Sequence, residues 1–189
     1  MINRNVFKGA ALVGAAVLLS ACEMAPAHMT GGGTMHSLGG DGRAQLAFTA
    51  NGCDVDNVKG QLQFGDRTAI EWQANGGVKL HGNVTSAGMC TDQESTDPDN
   101  PFGDPGCGTS QLGECDPGQM AILFDYDSTN PAAPGTGEGL VCAQSAGPGA
   151  GGSLHAIGII SLQSGPYEGY ANLGALVGNA QVHGCKTSG

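Results

Sequence analysis

Residues 91–118 hold the densest group of side chains in this sequence that could coordinate a hard metal ion. Seven acidic residues occur there among prolines and glycines. Calcium prefers six to eight oxygen ligands, which carboxylates and loop carbonyls can supply. Five of these residues are candidate calcium ligands: Asp92, Glu94, Asp97, Asp99 and Asp104. The glycine and glutamate of the segment do not follow EF-hand spacing, so a solvated acidic loop closed by a disulfide is the favoured interpretation and a calcium site is the alternative.

The histidines and serines suggest no preformed catalytic motif. Five histidines are scattered along the chain, without the short spacing that is typical of a transition-metal site: His28, His36, His81, His155 and His183. No serine lies in a Gly-x-Ser-x-Gly nucleophile elbow. A Ser-His-Asp triad is defined by geometry and not by spacing. We therefore assign no catalytic residue and keep a hydrolase as an alternative function.

The first 21 residues have the pattern of a secretory leader. Arg4 and Lys8 precede an apolar segment over residues 9–21, and a helix of that length rises only about 20 Å, less than the roughly 30 Å core of a bilayer. The motif Leu19-Ser20-Ala21-Cys22 resembles the lipobox of bacterial lipoproteins. That resemblance implies cleavage before Cys22 and attachment of acyl chains, including palmitate, to this cysteine.

The residues after Cys22 bear on location and on domain organisation. In lipoproteins an aspartate after the modified cysteine favours retention in the inner membrane, so Glu23 implies the outer membrane. Residues 22–33 include Gly31-Gly32-Gly33 and show no periodicity, which predicts a flexible tether. Residues 34–189 then form a single domain.

The charge of the chain limits its partners. There are 17 acidic and 7 basic residues, for a net charge of −10, and cleavage after residue 21 would remove Arg4 and Lys8 but no acid. An acidic surface repels phosphate backbones, so we expect no nucleic-acid partner. The expected partners are the membrane, through the lipid, and an unidentified envelope or extracellular molecule. No cofactor is expected apart from the calcium already considered.

Cysteine count predicts a disulfide-bonded domain. With Cys22 assigned to lipid, six cysteines remain, an even number that suits an oxidising compartment. Cys107 and Cys115 flank a short glycine-containing loop and are predicted to pair. The remaining pairs would be Cys53–Cys90 and Cys142–Cys185, although six cysteines allow 15 pairings.

The rest of the chain favours strands over helices. Glycine and proline account for 34 and 9 residues, which interrupts long helices. Apolar and polar residues alternate over 43–49, 58–64 and 78–84, and further short strands are predicted: 69–72, 119–126, 140–144, 154–162 and 175–183. Asn75-Gly76-Gly77 predicts a tight turn. The fold class is therefore all-β, an antiparallel sandwich or barrel of short strands with long Gly/Pro-rich loops.

Five segments together resemble a known family: residues 31–34 (GGGT), 42–48 (GRAQLAF), 59–64 (KGQLQF), 78–85 (VKLHGNVT) and 178–183 (GNAQVH). They are similar to the post-COAP domain, a β-rich domain of exported bacterial proteins. The resemblance implies an exported all-β module and carries no catalytic residue. It also implies that Cys53 and Cys90 lie at one end of the domain, provided that residues 69–72 do not form a separate strand. The six cysteines and the acidic segment depart from the family pattern.

The predictions converge on a lipid-anchored, non-enzymatic structural or binding module of the cell envelope. A calcium-dependent adhesive domain that uses residues 91–118 and a hydrolase are the alternatives.

Overall fold

The structure, a computed structural model, describes residues 22–94, 107, 114–145 and 154–185. The described chain is almost entirely β. Three short 3₁₀ helices occur, at Val55–Asn57, Ile70–Asn75 and Gly165–Tyr167. The nine strands are β1 (Cys22–Ala25), β2 (His28–His36), β3 (Arg43–Asn51), β4 (Lys59–Asp66), β5 (Val78–Glu94), β6 (Met120–Ser128), β7 (Thr136–Ala143), β8 (Leu154–Leu162) and β9 (Ala171–His183).

Eight of these strands form a closed antiparallel barrel in the order β5-β4-β3-β2-β9-β8-β7-β6, and β6 pairs with β5 to close the ring. The remaining strand, β1, lies outside the ring and pairs with the C-terminal part of β5. An extra residue in β5 between Val84 and Ser86 shifts its register against β6. Such a bulge bends a strand, and here β5 continues beyond its pairing with β4 to meet β1.

Alternation along the strands determines which side chains fill the barrel. In β3 every second residue is buried, including Ala44, Leu46 and Phe48, and in β5 the residues Val78, Leu80 and Val84 are buried. These inward faces were predicted correctly from the sequence. Successive side chains of a strand point to opposite faces of the sheet, so the intervening residues of each strand form the outer surface. Buried residues of all eight barrel strands form one continuous apolar core.

The prediction of a strand over residues 69–72 is wrong, because these residues lie at the start of the 3₁₀ helix Ile70–Asn75. Gly76 and Gly77 do adopt the positive φ angles expected of them, 85° and 82°. They end that helix instead of forming a tight hairpin turn. Since no strand intervenes, β4 and β5 are neighbours in sequence and in the sheet.

The prediction of a flexible tether over residues 22–33 is also wrong. Strand β2 includes Gly31-Gly32-Gly33 and pairs with both β3 and β9. These glycines permit close packing. A Cβ at Gly31 would lie 2.6 Å from the Phe48 ring, and one at Gly33 would lie 2.9 Å from the Cα of Gly178. Residues 31–33 lack apolar side chains because Gly31 packs against the Phe48 ring and Gly33 packs against Gly178. Their missing periodicity therefore reflects close packing and not a flexible segment.

Three disulfides form, as the cysteine count predicts, but all three predicted pairings are wrong. The bonds are Cys53–Cys185, Cys90–Cys107 and Cys115–Cys142. They replace the expected Cys53–Cys90, Cys107–Cys115 and Cys142–Cys185. All three lie at the end of the barrel where β3, β7 and β9 finish, which we call the disulfide end. The bonds indicate an oxidising environment outside the cytoplasm.

Barrel closure explains the Cys53–Cys185 bond. His28, the first residue of β2, pairs with Asn51 of β3 on one side and with His183 of β9 on the other. The chain therefore runs two residues past the end of each neighbouring strand, to Cys53 after β3 and to Cys185 after β9. The two cysteines meet there with their Cα atoms 5.4 Å apart. Cys53 and Cys185 lie in opposite halves of the sequence, so the strand pattern around either cysteine alone does not predict this contact.

Cys107 and Cys115 do lie side by side, joined by a parallel β-bridge, yet each bonds to a different cysteine. Cys115 reaches the outer surface of β7 at Cys142, and Cys107 reaches Cys90 on β5. A second, smaller apolar cluster forms around these bonds, separate from the barrel core, and contains Cys90, Cys115, Ala121, Leu140 and Cys142. The two bonds thus hold Cys107 and Cys115 against the outer surface of the barrel.

Within the ranges given above, no helix is both long enough and apolar enough to cross a bilayer.

Candidate functional site

The apolar side chains that fill the barrel direct the search for a site to its surface. Large side chains inside the barrel are essentially inaccessible to solvent, and they include Phe124, Tyr126, Met29 and Leu62. An eight-stranded barrel is just wide enough for its side chains to fill it. The grooves described here therefore lie on the outside.

The outer surface of β2, β3, β4 and β5 carries two adjoining shallow grooves of about 630 and 240 Å³. Ala47, Gln63 and His81 line both grooves. The lining of the larger groove includes the small residue Gly33 of β2 and the longer polar side chains Gln45, Gln63 and Lys79. Neither groove has an acidic residue in its lining, on a chain whose net charge is −10. We call this surface the outer polar face.

Two histidines meet at the edge of this face, near the disulfide end. His28 and His183 are paired directly across β2 and β9, and their ring centroids are 5.0 Å apart with an interplanar angle of 37°. The Oγ1 atom of Thr30 lies 3.0 Å from Nε2 of His183. The sequence interpretation placed His28 in a tether and found no histidine pair, because the two residues come from opposite ends of the domain.

The opposite end of the barrel is closed by buried hydrogen bonds, and we call it the hydrogen-bonded end. Asp66, at the end of β4, is fully buried. Its Oδ2 accepts hydrogen bonds from Ser37 Oγ at 2.5 Å and from Tyr170 OH at 2.9 Å. Its Oδ1 accepts from the backbone N–H and the hydroxyl of Thr68, at 2.9 and 3.0 Å. A carboxylate that accepts several hydrogen bonds can be buried while charged.

These contacts determine the ionisation states of Asp66 and Tyr170. Burial raises the pKa of Asp66, but the hydrogen bonds from Ser37, Thr68 and Tyr170 outweigh burial and hold that pKa below its usual 3.8. Burial first, and then the Asp66 charge, raise the pKa of Tyr170 well above its usual range. The amide of Asn172 lies near this phenol, although its Nδ2 makes no hydrogen bond of acceptable geometry. Asp66 is therefore a carboxylate, and Tyr170 a phenol, at neutral pH.

A second group of tyrosines completes the hydrogen-bonded end. Tyr126 and Tyr167 stack with their ring centroids 6.0 Å apart. The Tyr126 hydroxyl donates to the carbonyl of Ser164 at 2.7 Å, and the Tyr167 hydroxyl lies 2.8 Å from Ser128 Oγ. Burial raises the pKa of Tyr126. Because these contacts join Ser164, in the loop after β8, and Ser128, the last residue of β6, to the two tyrosines, we interpret this group as a structural closure.

The described contacts contain no Ser-His-Asp arrangement. Ser37 does touch a carboxylate, but it donates its own hydroxyl proton to Asp66, and no histidine lies between them. The neighbouring His36 uses Nδ1 to contact the backbone carbonyl of Ser37. In a Ser-His-Asp triad the histidine is the base that activates the serine. Ser37 and Asp66 therefore act as structural partners.

The predicted calcium ligands remain untested. Asp97, Asp99 and Asp104 lie outside the described residues, and Asp92 and Glu94 lie on β5, where only their backbone is described. Elsewhere in the described chain, no three residues among His, Cys, Asp and Glu come together as metal ligands. Asp125 of β6 and Glu138 of β7 do face each other across paired strands. Cys22 begins β1, and its lipid attachment stays a prediction.

The side chains that meet at the two ends of the barrel were not identified from the sequence. Asp66 and Tyr170 are 104 positions apart, and no local motif connects them. The only available signal for Asp66 was an acidic residue at the end of an alternating strand, which is also a common turn pattern. The histidine pair offered no local signal at all.

No family model, no curated protein and no solved structure matches this chain. The resemblance to the post-COAP domain therefore rests on its short motifs alone and stays a prediction. The five segments that carry it lie on β2, β3, β4, β5 and β9, which are consecutive in the barrel.

Proposed function

We propose that this protein is a lipid-anchored, non-enzymatic module of the bacterial cell envelope, attached to the outer membrane through Cys22. The observation that carries the proposal is the position of strand β1. It starts at Cys22 and is paired with β5 at the disulfide end. An anchor at this cysteine would connect directly to a rigid, disulfide-bonded barrel, and the module would act by holding a fixed surface at the membrane.

The absence of a tether has a geometric consequence under this proposal. The register pairs Cys22 with Glu94 and Ala25 with Met89, so few free residues separate the acyl chains from the barrel. The disulfide end would then face the membrane. The hydrogen-bonded end would point away, at a distance of roughly 20 Å for strands of this length tilted in a barrel. The outer polar face would stand between them, accessible to a partner.

Three observations support a non-catalytic role. The barrel interior is occupied by apolar side chains, the buried carboxylate Asp66 is fully hydrogen-bonded, and the described serines and histidines form no triad. A hydrolase remains the competing function. Labelling of the purified protein by a broad serine-hydrolase probe, together with loss of labelling on one serine substitution, would favour the hydrolase and contradict our proposal.

The anchor is tested by expressing the full chain in a Gram-negative host with labelled palmitate. We expect label in the wild-type protein and none in a Cys22→Ser variant, which should accumulate as the longer precursor. An Ala21→Gly variant, which keeps a small residue before the cysteine, is the matched control and should be labelled normally. Palmitate incorporation into Cys22→Ser would overturn the assignment.

Location is tested by a charge-conserving change. Glu23→Asp should move the protein from the outer to the inner membrane fraction on a density gradient, whereas Glu23→Gln should leave it in the outer membrane. Equal distribution of the wild-type protein and Glu23→Asp would contradict the proposed sorting.

The orientation is tested with the single tryptophan of the chain. Trp72 lies in the 3₁₀ helix at the hydrogen-bonded end, where its Nε1 donates to the carbonyl of Pro166. In vesicles containing brominated lipids, we expect no quenching of Trp72 fluorescence. A Trp72→Phe variant with Asn57→Trp, at an exposed position of the disulfide end, should be quenched. The reverse pattern would show that the barrel is inverted.

A further inference from the structure

The histidine pair at the junction of β2 and β9 consists of two neighbouring imidazoles, an arrangement that no other histidine with a described side chain shares. His183 is exposed and His28 is partly exposed. Their rings are 5.0 Å apart, and the residues occupy directly opposed positions in an antiparallel ladder. Side chains at such positions are held close together by the backbone itself.

This spacing suits one metal ion. Neutral imidazole is the commonest protein ligand for transition metals. Two nitrogens bound to the same ion at about 2.0–2.1 Å must lie within about 4.2 Å of each other. Rings whose centroids are 5.0 Å apart can reach that separation by small side-chain rotations. No change in the β2–β9 pairing is required.

Thr30 provides the outer contact that a ligating histidine usually has. Its Oγ1 atom lies 3.0 Å from Nε2 of His183. When this oxygen accepts the Nε2 proton, the lone pair of the ring is on Nδ1, which is then the metal-binding atom. Partners of this kind orient the ligand and fix its tautomer.

The surrounding backbone is held in place on both sides. The Cys53–Cys185 bond lies two residues beyond His183, and β2 is hydrogen-bonded between β3 and β9. A rigid frame reduces the conformational entropy that is lost when a ligand binds. Both histidines are therefore positioned before any ion arrives.

We propose that His28 and His183 chelate a divalent transition-metal ion of the copper and zinc class at the surface of the barrel, with water completing the coordination. Borderline ions of this class prefer imidazole, and Cu²⁺ binds most tightly among them. No third His, Cys, Asp or Glu joins the pair in the described chain, so the site has open coordination positions. This inference does not depend on the anchor.

The test is titration of Cu²⁺ into the full chain, purified in detergent with its disulfides intact and without a polyhistidine tag. Calorimetry should show one ion bound per chain. His28→Ala and His183→Ala should each weaken binding by about tenfold or more, and Thr30→Val by about tenfold, in line with lost outer-shell contacts. His81→Ala is the matched control and should bind as the wild type does. Equal affinity in all variants would overturn the site.

Electron paramagnetic resonance gives a readout that does not require the variants to be equally stable. The wild-type Cu²⁺ complex should show coupling to nitrogens of two imidazoles, and either alanine variant should show one at most. Size-exclusion chromatography should show no metal-induced dimer. A spectrum with a single imidazole in the wild-type protein, or a dimer that supplies the second one, would contradict chelation within one chain.

Discussion

The two ends of this barrel are closed by different chemistry. The disulfide end is held by three covalent bonds and a small apolar cluster outside the barrel wall. The hydrogen-bonded end contains no disulfide among its described residues and is closed by Asp66, Ser37, Thr68 and Tyr170 together with a tyrosine pair. Covalent closure acts largely on the unfolded chain, whereas buried hydrogen bonds act in the folded state. The ends should therefore respond differently to substitution, reduction and pH.

The largest effect should come from removing Cys53–Cys185, which spans 132 residues. Loop-closure entropy predicts that a Cys53→Ala/Cys185→Ala variant loses about 4–5 kcal/mol of unfolding free energy. The Cys90–Cys107 bond spans 17 residues, and its removal should cost about 3 kcal/mol. Urea unfolding under non-reducing conditions, which keep the other two disulfides intact, measures both. A larger loss for the shorter loop would show that native contacts, and not chain entropy, determine the stability of the disulfide end.

At the opposite end, Asp66→Ala should cost about 3 kcal/mol, because it leaves the buried donors Ser37 and Tyr170 and the partly buried donor Thr68 without their charged acceptor. The cost should appear with the disulfides intact and also in the Cys53→Ala/Cys185→Ala background, since the two sites share no contacts. Urea unfolding of the double-mutant cycle measures this. Strong non-additivity would mean that the ends are coupled through the core.

The pH dependence should also be specific to the hydrogen-bonded end. The pKa of Asp66 is lowered in the folded protein, so its contribution is present above pH 3.8 and is lost as the pH falls through the folded-state pKa. Because the pKa of Tyr170 is raised in the folded protein, its contribution is present below pH 10 and is lost as the pH rises from 10 towards the folded-state pKa, since the phenol ionises first in the unfolded chain. The difference in unfolding free energy between the wild type and Asp66→Asn should therefore shrink in acid. A constant difference from pH 7 to pH 2 would be inconsistent with a buried carboxylate.

Tyrosines of the same end should differ in their contributions. Tyr170→Phe removes a hydrogen bond to a charged group and should cost about 2 kcal/mol, whereas Tyr167→Phe removes contacts with Ser128 and the Lys79 backbone and should cost about 1 kcal/mol. Thermal unfolding of the two variants under identical conditions gives the order. The opposite order would locate the main closure at the tyrosine stack.

The sequence predicts those features of the fold and of the candidate site that depend on neighbouring residues, and it does not predict those that depend on distant ones. The inward faces of β3 and β5 follow from period-two alternation, and the odd cysteine was separated from six that pair. The pairings were missed because barrel closure places β9 beside β2, a contact that no nearby residues encode. Closure is also what brings His183 to His28. Gly31 and Gly33 were misread because a glycine needed for packing has the same local signature as one in a loop.

The smallest expected effect on the unfolding free energy comes from an exposed hydrogen bond at the hydrogen-bonded end. Ser164 Oγ accepts a hydrogen bond from the Glu138 backbone at 2.9 Å, at an exposed position. Water can replace this acceptor, so Ser164→Ala should cost at most about 0.5 kcal/mol. The Ser164 carbonyl that accepts from Tyr126 is retained in the variant, which isolates the side-chain bond. A loss as large as that of Tyr170→Phe, measured by urea unfolding, would mean that the number of hydrogen bonds, and not their burial, determines the stability of this end.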